Sequence, residues 1–182
     1  MRFVSQIILK SLGWKIVGDH RPDLHKAVMI AGPHTSNWDF PLGIMVRSII
    51  RADIKYVGKA SLFKPPLGWI MKGLGGVAVD RSKSNNFVEA VVKEYKRHQK
   101  LQILFAPEGS RRKVTKFKTG FYHVARIANI PIIPLILDYS SKEFRFLPIF
   151  HVSSDASKDM EFLENLYKNI VGRNPEQGFG MQ

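Results

Sequence analysis

Two short stretches hold the residue types that proton transfer and anion binding require. In Gly32-Pro33-His34-Thr35-Ser36-Asn37-Trp38-Asp39 a histidine stands five positions before an aspartate. Imidazole exchanges protons near neutral pH. A carboxylate on one ring nitrogen fixes the tautomer and stabilises the imidazolium, leaving the other nitrogen to act as a base. The competing explanation is plain: Asp39 caps a helix and His34 is an ordinary loop histidine. The second stretch is Phe105-Ala-Pro-Glu108-Gly109-Ser110-Arg111-Arg112-Lys113, and residues 111–118 contain five Lys or Arg. Glycine lets the backbone approach a ligand closely, and an arginine fork matches phosphate oxygens in pairs. A solvated basic face or a nucleic-acid patch would also explain the run. Glu108 fits neither, because a carboxylate repels phosphate unless an arginine offsets it. A third stretch, Gly76-Val-Ala-Val-Asp80-Arg81-Ser82, repeats the plan of strand, charged pair and hydroxyl, with a surface ion pair as its simplest account.

Other chemistries fail on context. Gly73-Leu-Gly75-Gly-Val-Ala78 has the letters of a dinucleotide fingerprint, but its glycines lead into a strand instead of opening a helix. Gly13–Gly18 has phosphate-loop spacing, yet Asp19-His20 occupies the Lys-Ser/Thr positions. No nucleophile elbow or HExxH motif occurs. Cysteine is absent, which removes thiol nucleophiles, disulfides and thiolate metal sites. His20 and His25 are poorly spaced to share an ion, so no metal site is expected.

The elements that must position these residues follow from hydrophobic periodicity. Short apolar runs at 27–31, 54–58, 76–79, 101–105, 132–137 and 144–150 predict strands. Helical spacing predicts helices over 3–17, 37–51, 84–98, 119–129 and 156–171. Pro41 is tolerable only in a first turn, so the second of these helices begins near residues 37–40. Pro131 and Pro134 in one run hint at an edge strand or a bulge. Alternation of the two patterns predicts an α/β fold, a single domain with a mostly parallel central sheet flanked by helices. Both candidate stretches then lie at strand carboxyl ends, where open sheets bind ligands.

At 182 residues with 45% apolar composition, the chain can bury one ordinary core. Its 28 basic and 15 acidic residues give a net charge of +13, which forecasts polyanionic company without choosing among nucleic acid, anionic membrane and phosphorylated small molecules. Residues 1–18 combine Ile, Leu and Trp with Lys and Arg, and read first as a core-packed helix and second as an interfacial one. The segment 62–71 (LFKPPLGWIM) has the same two options, a packed helix or an acyl-contacting, membrane-dipping one. No run approaches the roughly 20 apolar residues that span a bilayer. The expectation is a cytoplasmic chain, peripheral on the membrane's cytoplasmic face. Residues 173–182 lack periodicity and are expected to form a mobile tail.

Taken in order, four blocks resemble the glycerophospholipid acyltransferase family, whose best-known members are 1-acyl-glycerol-3-phosphate acyltransferases. They are His34-x4-Asp39, the strand from Gly76 into Asp80-Arg81-Ser82, Glu108-Gly109-Ser110-Arg111, and Ile130-Pro131-Ile132-Ile133-Pro134. The likeness spans about residues 27–140, and the ordered set is far more specific than any one block. Pro33 stands where the family commonly has asparagine, Ser110 replaces threonine, and Arg112 replaces a small hydroxyl residue. The resemblance implies an acyltransferase domain over 1–182 that acylates the sn-2 hydroxyl of 1-acyl-glycerol-3-phosphate. His34 would be the general base and Asp39 its orienting partner. Arg111, Gly109 and Ser110 would hold the acceptor phosphate, Arg81 would add a second contact, and Glu108 would order the arginine or a substrate hydroxyl. An acyl-CoA or acyl-carrier protein serves as co-substrate, with no cofactor or metal. Expected partners are the lysophospholipid acceptor, the thioester donor and an anionic membrane surface, and no nucleic acid. The alternatives are acylation of another lysolipid, motivated by Pro33 and Arg112, and a non-enzymatic nucleic-acid-binding role, motivated by charge alone.

Overall fold

The computed structural model describes residues 1–21, 23–79 and 84–180. Its strands are β1 (Lys15–Val17), β2 (Lys26–Gly32), β3 (Ile54–Lys59), β4 (Gly76–Val79), β5 (Leu101–Phe105), β6 (Ile132–Asp138) and β7 (Glu143–Phe146). Among the described residues they form one sheet in the order β1-β7-β6-β2-β5-β3-β4. The β6–β7 pairing is antiparallel and the other neighbouring pairs are parallel, as expected for this α/β fold. Helices are α1 (Arg2–Ser11), α2 (Asp39–Ile50), α3 (Leu67–Gly73), α4 (Ser84–Arg97), α5 (Gly120–Ala128) and α6 (Ala156–Asn165).

Strand alternation divides the core in two. Val28 and Ile30 of β2 join Ile103, Tyr95, Tyr122 and Leu163 on the face covered by α4, α5 and α6. Ala27 and Met29 turn to the other face, against Leu42 and Val46 of α2 and Leu9 of α1. Two buried tyrosines anchor the first layer to β2, with Tyr95 donating to the Ala27 carbonyl and Tyr167 to that of Ile30, each at 2.8 Å.

Three departures from the expected elements have physical causes. The pattern over 3–17 covers a helix and a strand, since α1 stops at Ser11 and β1 then pairs with β7. Pro134 lies in an interior strand, not at an edge, and Pro131 just before it. Pro134 sits beside a break in its partner, between the Leu135–Phe146 pairing and an isolated Ile132–Phe150 bridge. Its carbonyl accepts from Leu147 at 2.9 Å, and no ladder bond is lost to the missing N–H there. Finally, residues 173–180, expected as a tail, are packed: Pro175–Gln177 form a 3-10 turn, and Phe179 is 2% exposed with its ring 4.4 Å from that of Phe117.

The two optional interfacial segments are apolar and open to solvent. In α1 Leu9 is buried, while Phe3, Val4, Ile7, Ile8 and Leu12 are exposed. In and around α3, Leu62, Leu67, Trp69 and Ile70 are exposed, with Trp69 at 78%. Phe63 ties this region to the sheet by filling the space that side chains at Gly58 and Gly76 would occupy.

Candidate active site

β2 lies between β5 and β6, so the loops leaving the carboxyl ends of all three strands meet. The β2 loop carries His34 and turns so that α2 opens on Asp39. One carboxylate oxygen, Oδ2, accepts from the Thr35 and Ser36 amides at 3.0 and 2.9 Å and stands 2.9 Å from His34 Nδ1. The other, Oδ1, accepts from the Tyr139 hydroxyl at 2.7 Å. Asp39 is the first residue of α2 and does not cap it; its carboxylate instead closes the preceding turn and holds the imidazole. With Nδ1–H directed to the carboxylate, Nε2 carries the free lone pair. The His34 side chain is 27% exposed and that of Asp39 only 5%, so the ring is reachable while its partner stays dry.

The β5 loop supplies Glu108, which is buried behind the histidine. Its Oε2 accepts from the backbone N–H of His34 at 2.8 Å. Glu108 thus orders the main chain that carries His34, a contact additional to the arginine or substrate hydroxyl expected for it. Burial pushes its carboxyl up to about 7, against the opposing pull of the His34 amide and ring. Gly109 follows with φ +70°, a left-handed conformation that suits glycine. Gly32 allows a close approach: a Cβ there would lie 3.1 Å from the Tyr167 ring, tighter than ordinary packing.

His34, Asp39, Gly109, Ser110 and Arg111 line one cavity of about 1020 Å3, together with Arg112 and Lys113. Away from these polar groups its walls are apolar, built from Ile44 and Val46 of α2, Leu104 of β5, Leu135 and Leu137 of β6, and Leu62 and Met71. Imidazole, cations and a long greasy chamber thus share a single space. The strand of the second block, β4, is present, but Arg81 itself lies outside the described residues. No group of three or more His, Asp or Glu suited to a metal ion occurs among the described residues.

Three contributors escaped the sequence. Tyr139 follows β6 at its carboxyl end, and burial together with the Asp39 carboxylate pushes its phenol up, so it remains a donor. Strand-end position was the available clue. Asn174 and Gln177 reach the site from the segment after α6, for which no local signal existed.

This chain belongs to the acyltransferase family, whose model matches residues 14–138. It is 32% identical over 124 residues to the 1-acyl-sn-glycerol-3-phosphate acyltransferase of Escherichia coli, covering 64% of this chain and 49% of that protein. It is 30% identical over 148 residues to the Saccharomyces cerevisiae protein of the same name, covering 74% and 46%. The chain spans about half the length of these curated relatives. Its fold matches the crystal structure of the Thermotoga maritima 1-acyl-sn-glycerophosphate acyltransferase with a TM-score of 0.64 at 16% identity, over 89% of this chain and 73% of that one.

Proposed function

We propose that the protein moves a fatty acyl group from an acyl-CoA or acyl-carrier protein to the sn-2 hydroxyl of 1-acyl-glycerol-3-phosphate, giving phosphatidate. The single supporting observation is that the His34–Asp39 pair and Arg111 line the same apolar-walled cavity. In this reading His34 Nε2 removes the hydroxyl proton as the oxygen attacks the thioester carbonyl. The resulting oxyanion collapses, the carbon–sulfur bond breaks, and the imidazolium returns its proton to the departing thiolate. Asp39 stabilises the imidazolium. Arg111, with Gly109 and Ser110, holds the acceptor phosphate, Arg81 adds a second contact, and the acyl chain lies along the apolar walls. Transfer is direct, with the thioester as co-substrate and no cofactor.

The membrane surface enters the proposal through α1, α3 and the +13 charge, with the protein held on the cytoplasmic face. Basic residues near anionic lipid contribute about 1 kcal/mol each. Among the described residues no helix is long and apolar enough to cross a membrane. The test is transfer from labelled acyl-CoA and acyl-carrier protein to lysophosphatidate. His34→Ala should lose about 10²–10⁴-fold in rate, and unchanged turnover discards the base. A different lysolipid acceptor is favoured by Arg112 and Lys113 on the cavity wall. It is also favoured by 24% identity, over 98% of this chain, to the human protein named lysophospholipid acyltransferase LPCAT4, of which the match covers 39%. A lysolipid panel with product mass spectrometry separates the two.

A further inference from the structure

Beside the catalytic cavity lies a smaller recess of about 400 Å3, lined chiefly by Thr35, Ser36, Asn37, Arg111, Asn174 and Gln177. Arg111, Asn37 and Gln177 border both spaces, so the recess begins where the acceptor phosphate is proposed to sit. Two of its walls come from the segment after α6, beyond the residues that the family model matches. That segment is built into the site. Asn174 gives two hydrogen bonds to Thr35, its N–H to Oγ1 at 3.2 Å and its Nδ2 to the carbonyl at 2.9 Å. The Gln177 amide satisfies its surroundings with nitrogen facing the Thr35 and Arg111 carbonyls, at 3.1 and 2.5 Å. Gly172 lies flat on Thr35, where a Cβ would come within 2.5 Å of the hydroxyl.

We propose that this recess is a subsite for the substituent carried on the acceptor phosphate, and that it takes an uncharged, hydroxyl-bearing head group. The inference rests on the second acyl-transfer reading above, a lysolipid acceptor other than lysophosphatidate, and narrows that acceptor. Its lining offers hydroxyls, amides and one guanidinium, and no carboxylate to neutralise an ammonium. Trp38 also lines the recess, and the Arg173 guanidinium lies over its ring at 5.2 Å, so a quaternary amine there meets two cations, Arg173 and Arg111. A polyol meets the Asn37 amide and the Ser36 hydroxyl, which a bare phosphate monoester leaves to water.

Calorimetric or NMR binding of head-group fragments tests this on the whole chain. Wild type should bind glycerophosphoglycerol about tenfold or more tightly than glycerophosphocholine, and the margin should shrink to about threefold or less in Gln177→Met and in Asn174→Ala. Kinetics with the corresponding 1-acyl lipids should show the same change of preference in KM more than in kcat. Equal binding of the two fragments by wild type overturns the subsite and needs no variant. A margin that survives both substitutions, or CoA alone competing for the recess, overturns it too. Wild type that selects the polyol fragment yet transfers no acyl group leaves the subsite standing and sinks the enzymatic reading. Wild type that acylates lysophosphatidate with no head-group selectivity does the reverse.

Discussion

Asp39 is shared by four donors on two oxygens, and Tyr139 supplies the one that comes from another strand. Removing that phenol leaves Oδ1 buried without a donor and makes the carboxylate hold its imidazole differently. Tyr139→Phe should cost about 1–3 kcal/mol of stability and lower kcat more than the KM for the acceptor, with a displaced pH–rate profile. A fall in stability with kinetics unchanged would reduce Tyr139 to a structural role. Glu108 gives a separate, pH-dependent prediction. Its carboxyl rises from 4.5 to about 7 on folding, so the native state keeps a proton that the unfolded chain has released. Stability therefore falls as pH climbs through that interval and levels off above it, by on the order of 3 kcal/mol in all. Glu108→Gln keeps an oxygen for the His34 amide and should flatten the trend. Denaturant melts from pH 4.5 to 8 decide, and a slope that persists in the variant rejects the assignment.

At the scale of elements, the segment over Thr35 is the part most open to a simple test. Gly172→Ala sets a methyl against a side chain that is 1% exposed and cannot step aside. The expected outcome is a loss of about 1–3 kcal/mol with a raised acceptor KM, measured by unfolding and steady-state kinetics. An unperturbed KM would show that the contact is mere packing. Why the sequence hid this segment while exposing others is a matter of range. β4 and β5 were legible to the residue because Gly76–Val79 is a continuous apolar run and Leu101–Phe105 one broken only by Gln102, each between charged or turn-forming neighbours. β1 was not, because Trp14 and Ile16 keep up the spacing of α1 although the chain leaves the helix at Gly13. The histidine and its aspartate were legible as local spacing. Tyr139, Asn174 and Gln177 were not, because what defines them is a partner far along the chain.

For the whole molecule, charge and exposed apolar surface act together. Substituting Trp69→Ala and Ile70→Ser should weaken co-sedimentation with anionic vesicles about tenfold or more, since each buried apolar side chain contributes about 1.5–3 kcal/mol. Raising salt should weaken it further through the basic residues. Binding that ignores both changes would remove the membrane from the proposal. The site also has an assembly consequence. His34 meets Glu108 across 74 positions, Asp39 meets Tyr139 across 100, and Thr35 meets Asn174 across 139. No fragment owns enough of these pairings to build a working centre, and distant pairings are slow to form. In refolding, regain of catalysis should therefore trail the return of helical signal and coincide with the last tertiary step, so that a half-folded chain on a lipid surface is inert.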